Sequence, residues 1–327
     1  MRISILDRSL VRAGHQKGHA EALRETVRFA RAAERLGYHR FWVSEHHSVP
    51  GVAGSAPTVL AAAVAAATSR IRVGTGGVML PNHRPLVVAE QFGVLESLYP
   101  GRIDMGLGRS VGFTDGVRRA LGHGKEATDD FAGQVSELLG YFAGRAPRHP
   151  GVHAWPAEGL RVPAFVLAMG SGADIAAELG LPLVIGGREE RMRPAIERYR
   201  ATVTGRPYVV VAATVAVAAT AAEAQELLVP EAWSTAYSRT RGEFPQLSPP
   251  RDILARAMDA RERGYFEEAL EGQIHGTEDE VAAELSGLVA RTGADEVLVT
   301  MNTYDHERRL DSYTRLAAIA RELPLAA

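Results

Sequence analysis

The 327-residue chain contains no cysteine, so disulfides, thiolate metal sites and a cysteine nucleophile are excluded together. It has no uninterrupted apolar run near the ~18 residues that a membrane span needs. Its start, Met1-Arg2-Ile3-Ser4-Ile5, does not read as a secretory leader. A cytoplasmic location is therefore expected. Neither sign of charge is in excess: 37 Lys and Arg stand against 39 Asp and Glu, and the basic residues are scattered rather than gathered in stripes. That argues against nucleic acid as a partner. No HExxH zinc motif or Walker loop occurs. What is present, 46% hydrophobic and 23% charged residues, is the composition of a globular protein with a large core.

The periodicity alternates between strand and helix along the whole length. Ile3 to Leu6 is a short apolar run, and Ala20 to Leu36 carries Leu23, Val27, Ala30, Ala33 and Leu36 at helical spacing before Gly37. Phe41-Trp42-Val43 then runs directly into Ser44-Glu45-His46-His47, the pattern of a buried parallel strand that opens into a polar site. The spacing predicts further strands over 71–80, 102–110, 164–168, 183–185, 208–217 and 296–300, with helices over 57–68, 85–98, 127–142, 173–179, 190–202 and 307–323. Two stretches break the rhythm, Val111 to Pro163 after the fourth strand and Ala221 to Thr277 after the seventh. Eight strands in alternation with helices predict an α/β fold, a (β/α)8 TIM barrel formed by residues 1–327 as a single domain, with insertions after strands 4 and 7. An open doubly wound sheet is the rival, without a Gly-rich first turn to support it.

Catalytic groups of such barrels lie at the C-terminal ends of the strands. Those ends hold Asp7, Glu45-His46-His47, Thr75-Gly76-Gly77, Gly108-Arg109-Ser110, Gly170-Ser171 and Gly186-Gly187. A histidine beside a glutamate suits acid/base work near neutral pH, and a structural histidine at the rim is the plainer reading. Two glycines in an apolar strand suggest a flat ligand pressed on the backbone or an unusual peptide geometry, with a β-bulge as the alternative. Gly170-Ser171 before a helix, with Arg109, offers N–H groups and charge to a phosphate. A common turn and a surface ion pair explain them equally simply. A metal is not expected, because His15, His19, His39, His83, His123, His149, His153, His275 and His306 are spread over loops and helices and form no HExxH or comparable set.

Taken together, Glu45-His46-His47, Val73 to Pro81, Pro85 to Gln91 and Pro100 through Arg109 resemble the bacterial luciferase-like monooxygenase family of flavin-dependent (β/α)8 barrels. Leu167 to Leu181 resembles its antibiotic- and polyketide-tailoring subgroup. The resemblance implies reduced FMN (FMNH2) lying against Thr75, Gly76 and Gly77, where the family often has a non-proline cis peptide. It implies a phosphate held by Gly108, Arg109, Gly170 and Ser171. His46 matches the catalytic imidazole, with Glu45 and His47 supporting it. It further implies O2 activation as a C4a-(hydro)peroxide, a separate flavin reductase, a homodimer formed through the alanine-rich helices between Pro57 and Leu98, and hydroxylation or epoxidation of an apolar or aromatic molecule. Two departures stand out: Glu126 to Asp130 are largely acidic where the family has a second phosphate arginine, with Lys125 the nearest replacement, and Ser110-Val111-Gly112-Phe113 is bulkier than usual. The first keeps the deazaflavin F420 open as cofactor of a dehydrogenase or reductase, and the second implies a reshaped substrate pocket. A non-catalytic flavin-binding subunit is the third alternative.

Overall fold

A computed structural model describes residues 1–14, 18–145, 148–170 and 172–323. The chain groups into two compact units. One comprises Met1–His39, Val49–Gly54 and Val211–Ala327, the other Arg40–Ser48 and Ser55–Val210. Parallel strands alternating with helices are those of the expected (β/α)8 barrel class.

The first unit opens with β1 (Ile3–Asp7) and α1 (Gly18–Leu36), whose chain reverses at Gly37 with φ +87°. The second unit follows with β2 (Arg40–Val43), α2 (Pro57–Ala67), β3 (Arg72–Thr75), β4 (Val78–Met79), α3 (Pro85–Leu98), β5 (Ile103–Gly108), α4 (Asp115–Ala120) and α5 (Phe131–Phe142). It continues through β6 (Ala164–Ala168), α6 (Gly172–Glu178), β7 (Leu183–Gly186) and α7 (Glu189–Thr202). Its strands run β2-β3-β5-β6-β7, all parallel, with β4 beside β5. Phe41, Trp42 and Val43 are all fully buried, as a strand covered on both faces must be. Trp42 meets Phe165 of β6 edge-on at 5.0 Å.

At the starts of these strands lies an ionic cluster. Asp104 is fully buried and accepts from Arg40 at 2.7 Å, from Arg72 at 2.6 Å and from the Trp42 indole at 3.2 Å. Gly74 makes this possible, since a Cβ there would run into the Asp104 carbonyl and side chain. The register Val73↔Ile103 is set at that close approach.

The first unit resumes with most of β8 (Val209–Val217), then α8 (Ala221–Arg241), α9 (Pro250–Leu254), α10 (Ala260–Leu270), β9 (Ile274–Gly276), α11 (Glu278–Thr292), β10 (Glu296–Thr300) and α12 (His306–Glu322). Here β10 pairs in parallel with β1, Ile3↔Val297, and β9 with β8, Val215↔Ile274. Trp233 on α8, Ile253 and Phe266 form a small apolar core of their own, which accounts for the insertion after the seventh barrel strand. At the start of α11 the Glu280 carboxylate accepts from Thr277 N–H at 2.8 Å and from its hydroxyl at 3.0 Å.

Two expectations change. The third strand, read as one run over 71–80, is two pieces, because the Gly76-Gly77 peptide is cis and separates β3 from β4. The break in rhythm from Ala221 to Thr277 also contains a strand that was not expected there, β9, at three residues too short to show a period. Among the described residues no helix is long and apolar enough to cross a membrane.

Candidate active site

The expected site residues all belong to the second unit. Strand β2 ends at Val43, and Ser44 to His47 continue as an extended segment until Ser48, whose φ of +54° turns the chain. Extended backbone sends alternate residues to opposite sides. Ser44 and His46 accordingly meet on one side, with Nδ1 to Oγ at 3.2 Å. On the other, Glu45 and His47 meet, Nε2–H donating to Oε1 at 2.6 Å. The two histidines therefore have different surroundings, as their adjacency in the sequence requires.

Glu45 is the hub. It is 4% exposed, and its Oε1 also accepts from His83 Nε2–H at 2.8 Å while Oε2 accepts from the Met79 backbone N–H at 2.9 Å. Burial by itself raises the carboxyl. The hydrogen bonds from His47 and His83, with the Met79 N–H, outweigh it and hold the group at about 2, so it is a carboxylate. His83 follows a short 3-10 turn over Leu80–Asn82 and was one of the scattered histidines in the sequence. Nothing in its spacing from Glu45 signals the contact; the return of the chain after β4 creates it. The expectation of no metal rested on spacing alone, and the fold supplies a third donor that spacing does not reveal: the ligand atoms of Glu45, His47 and His83 lie within 4.8 Å of one another.

Gly76 N–H donates to the Val43 carbonyl at 2.8 Å, which sets the cis Gly76-Gly77 peptide beside the strand end that delivers the Glu-His-His segment. The glycines also serve the sheet. A Cβ on Gly77 would lie 2.8 Å from the Gly106 carbonyl, too close for any side chain. The Thr75 hydroxyl donates to that carbonyl at 2.8 Å and accepts from Gly106 N–H at 3.2 Å, so it is occupied within the sheet. Thr75 is fully buried.

Gly108 ends β5, and a Cβ there would meet only the Val78 carbonyl, at 3.7 Å. Arg109 beyond it is exposed, with no hydrogen bond or ion pair to another described residue. Gly170 has φ +86° and open space where a side chain would be, just before α6. Ser171 and His15 lie outside the described residues. The segment after β5 also contains Arg118. It is buried, and its guanidinium serves the Gly112 carbonyl at 2.7 Å and Asp115. Asp7 is likewise committed, to Arg309 at 2.9 Å, to the Thr26 hydroxyl at 3.0 Å and to Ser9 N–H at 2.6 Å.

Residues 1–296 match the family Luciferase-like monooxygenase. A luciferase-like monooxygenase of Escherichia coli (strain K12) is 36% identical over 312 residues, 93% of this chain and 92% of that protein. The N-acetyl-S-alkylcysteine monooxygenase of Bacillus subtilis (strain 168) is 38% identical over 207 residues, 60% of each chain. Among solved structures, apo-MsnO8 superposes with a TM-score of 0.85 at 31% identity, covering 99% of both chains. Two more distant structures share the fold. One is a type II Baeyer-Villiger monooxygenase component in complex with FMN, at 17% identity and TM-score 0.76. The other is an F420-dependent secondary alcohol dehydrogenase, at 15% and 0.71.

Proposed function

The chain belongs to the luciferase-like monooxygenase family and is an oxidoreductase, and from that premise we propose that it is a two-component, FMN-dependent monooxygenase acting on a small organic molecule. The observation that carries the reading is the junction of two features in one unit. The Ser44–His47 segment leaves β2 beside the cis Gly76-Gly77 peptide, and Glu45 ties the two together through Met79 N–H.

The residues present fit a flavin. Gly108 and Gly170 leave open space at strand ends, and Arg109 has a guanidinium free of described partners to meet a phosphate. Gly170, Ser171 and Arg109 would hold the phosphate, and Gly76 and Gly77 would face the ring. Reduced FMN, delivered by a separate reductase, would supply the electrons that activate O2 for transfer of one oxygen atom. The protein's part is to exclude water and to move a proton. His46 is the group for that, partly exposed and oriented by Ser44. Glu45 and His47 brace the segment that carries it.

For the substrate we retain hydroxylation or epoxidation of an apolar or aromatic compound, with a polyketide intermediate as the first class to try. The N-acetyl-S-alkylcysteine monooxygenase relative favours a second class, thioethers. F420 is the rival cofactor and would make the chain a dehydrogenase or reductase. A non-catalytic flavin-binding subunit is disfavoured because His46 and its bracing residues are all in place. Val59 on α2 and Val87, Val94 and Leu98 on α3 are exposed, Leu98 by 63%; the last three recur at helical spacing and suit burial against a second copy. Cytoplasmic residence remains part of this reading.

Cofactor choice is tested by thermal unfolding of the full chain with FMN, FMNH2 or F420. Protection by FMNH2 that Arg109→Ala weakens supports the proposal; protection by F420 alone overturns it.

A further inference from the structure

We propose that Glu45, His47 and His83 form a binding site for a divalent first-row transition ion of the Zn²⁺ class. The donors come from two separate parts of the second unit, the extension of β2 and the turn after β4, and converge so that one carboxylate oxygen and two Nε2 atoms lie within 4.8 Å of one another. Both imidazoles now meet Glu45 Oε1, at 2.6 and 2.8 Å. A Zn²⁺ or Co²⁺ ion with bonds of about 2.0–2.1 Å holds its ligand atoms roughly 3.0–3.4 Å apart. Each His–Glu contact would spread by less than about 1 Å, while the two imidazole nitrogens, within 4.8 Å of each other, would close to the same separation.

Charge points the same way. Glu45 is buried, yet no Lys or Arg among the described residues pairs with it. A buried carboxylate needs a positive partner, and imidazole nitrogens with one carboxylate oxygen are a donor set that selects Zn, Co, Ni or Fe over Mg or Ca. The second carboxylate oxygen is held by Met79 N–H, the kind of outer contact that fixes a ligating carboxylate. Asn82, the residue before His83, is 8% exposed, and neither its Oδ1 nor its Nδ2 has a partner in the structure. A buried amide with both groups unpaired calls for a partner, and this one adjoins His83 in the chain. The side chains of His47 and His83 are 19% and 31% exposed, so an ion can enter and keep open positions. His46 is outside the set, turned to Ser44.

The site does not depend on flavin, so the test is direct binding. Chelator-treated full chain, free of flavin, is titrated with Co²⁺ at near-neutral pH and followed by visible absorption, then by displacement with Zn²⁺. The expected result is one Co²⁺ per chain with saturable ligand-field bands that Zn²⁺ removes and Mg²⁺ does not. His47→Ala and His83→Ala should each weaken binding at least ~100-fold, because even changes to groups behind a ligand cost about 10–100-fold. His153→Ala, which alters an exposed histidine paired with Glu158, should bind as the parent does. Thermal melts confirm folding, and His83→Gln replaces His83→Ala if the smaller side chain unfolds the turn. Absence of saturable binding, or binding unchanged in the His83 variant, overturns the site. If the parent chain binds no Co²⁺ yet turns over with FMNH2, the metal site falls and the monooxygenase reading stands.

Discussion

Two buried carboxylates in the same unit, Asp104 at the start of β5 and Glu45 beyond the end of β2, are satisfied in opposite ways. Asp104 is 0% exposed and saturated by two arginines and an indole N–H. Glu45, at 4%, has two imidazoles and one backbone N–H. Guanidinium is permanently charged, so the Asp104 cluster has one state and only holds strands together. Imidazole is also a metal ligand, so the Glu45 cluster offers donors that the Asp104 cluster does not. In barrels of this class the chemistry belongs at the end where Glu45 lies.

The contrast breaks most visibly at Asp104. Asp104→Ala leaves Arg40 and Arg72 without their buried partner and should destabilise by about 3–5 kcal/mol, measured by denaturant unfolding. His46→Ala should do the reverse, lowering reductase-coupled turnover by about 10²–10⁴-fold with an unchanged unfolding midpoint. Glu45→Gln sharpens the comparison, because the amide keeps the size of the carboxylate but not its charge. Turnover should fall about 10–100-fold, with a stability loss smaller than that at Asp104.

Arg109→Ala should raise the dissociation constant of FMN about tenfold, read by fluorescence titration, in keeping with ~1.5–3 kcal/mol for a charged hydrogen bond. The smallest effect belongs to a third carboxylate, Glu25. The hydrogen bond from His306 lowers it, against the opposing effect of burial and with help from Arg28, to about 2. A folded-state value below the ordinary 4.5 means that the contribution is present above pH 4.5 and is lost as pH falls toward 2. His306→Gln should therefore differ from the parent by under about 1 kcal/mol at neutral pH, and the difference should close in acid.

Much of this was legible before any coordinates. Strands β6 and β10 occupy the residues their apolar runs indicated, because buried parallel strands announce themselves by composition. The position of Glu45, His46 and His47 just past a strand end was legible because an apolar run leads straight into them. The metal-ligating potential was not: His83 reaches Glu45 only through the turn after β4, and long-range proximity has no local period. The hydroxyl of Thr75 was equally opaque, since its partner Gly106 lies on another strand. The glycine pair was half legible. Its unusual peptide was expected, whereas the close approach of Gly77 to β5 needed the register Val78↔Leu107.

The monooxygenase reading is tested most directly by the origin of the oxygen in the product. The full chain with a flavin reductase, FMN and isotopically labelled O2 is given a panel of aromatic polyketides and N-acetyl-S-alkylcysteines, and products are weighed by mass spectrometry. The predicted result is one labelled oxygen atom in the product of the parent protein and loss of that product in His46→Ala. Substrate oxidised without labelled oxygen, or labelled product unchanged in His46→Ala, would contradict it.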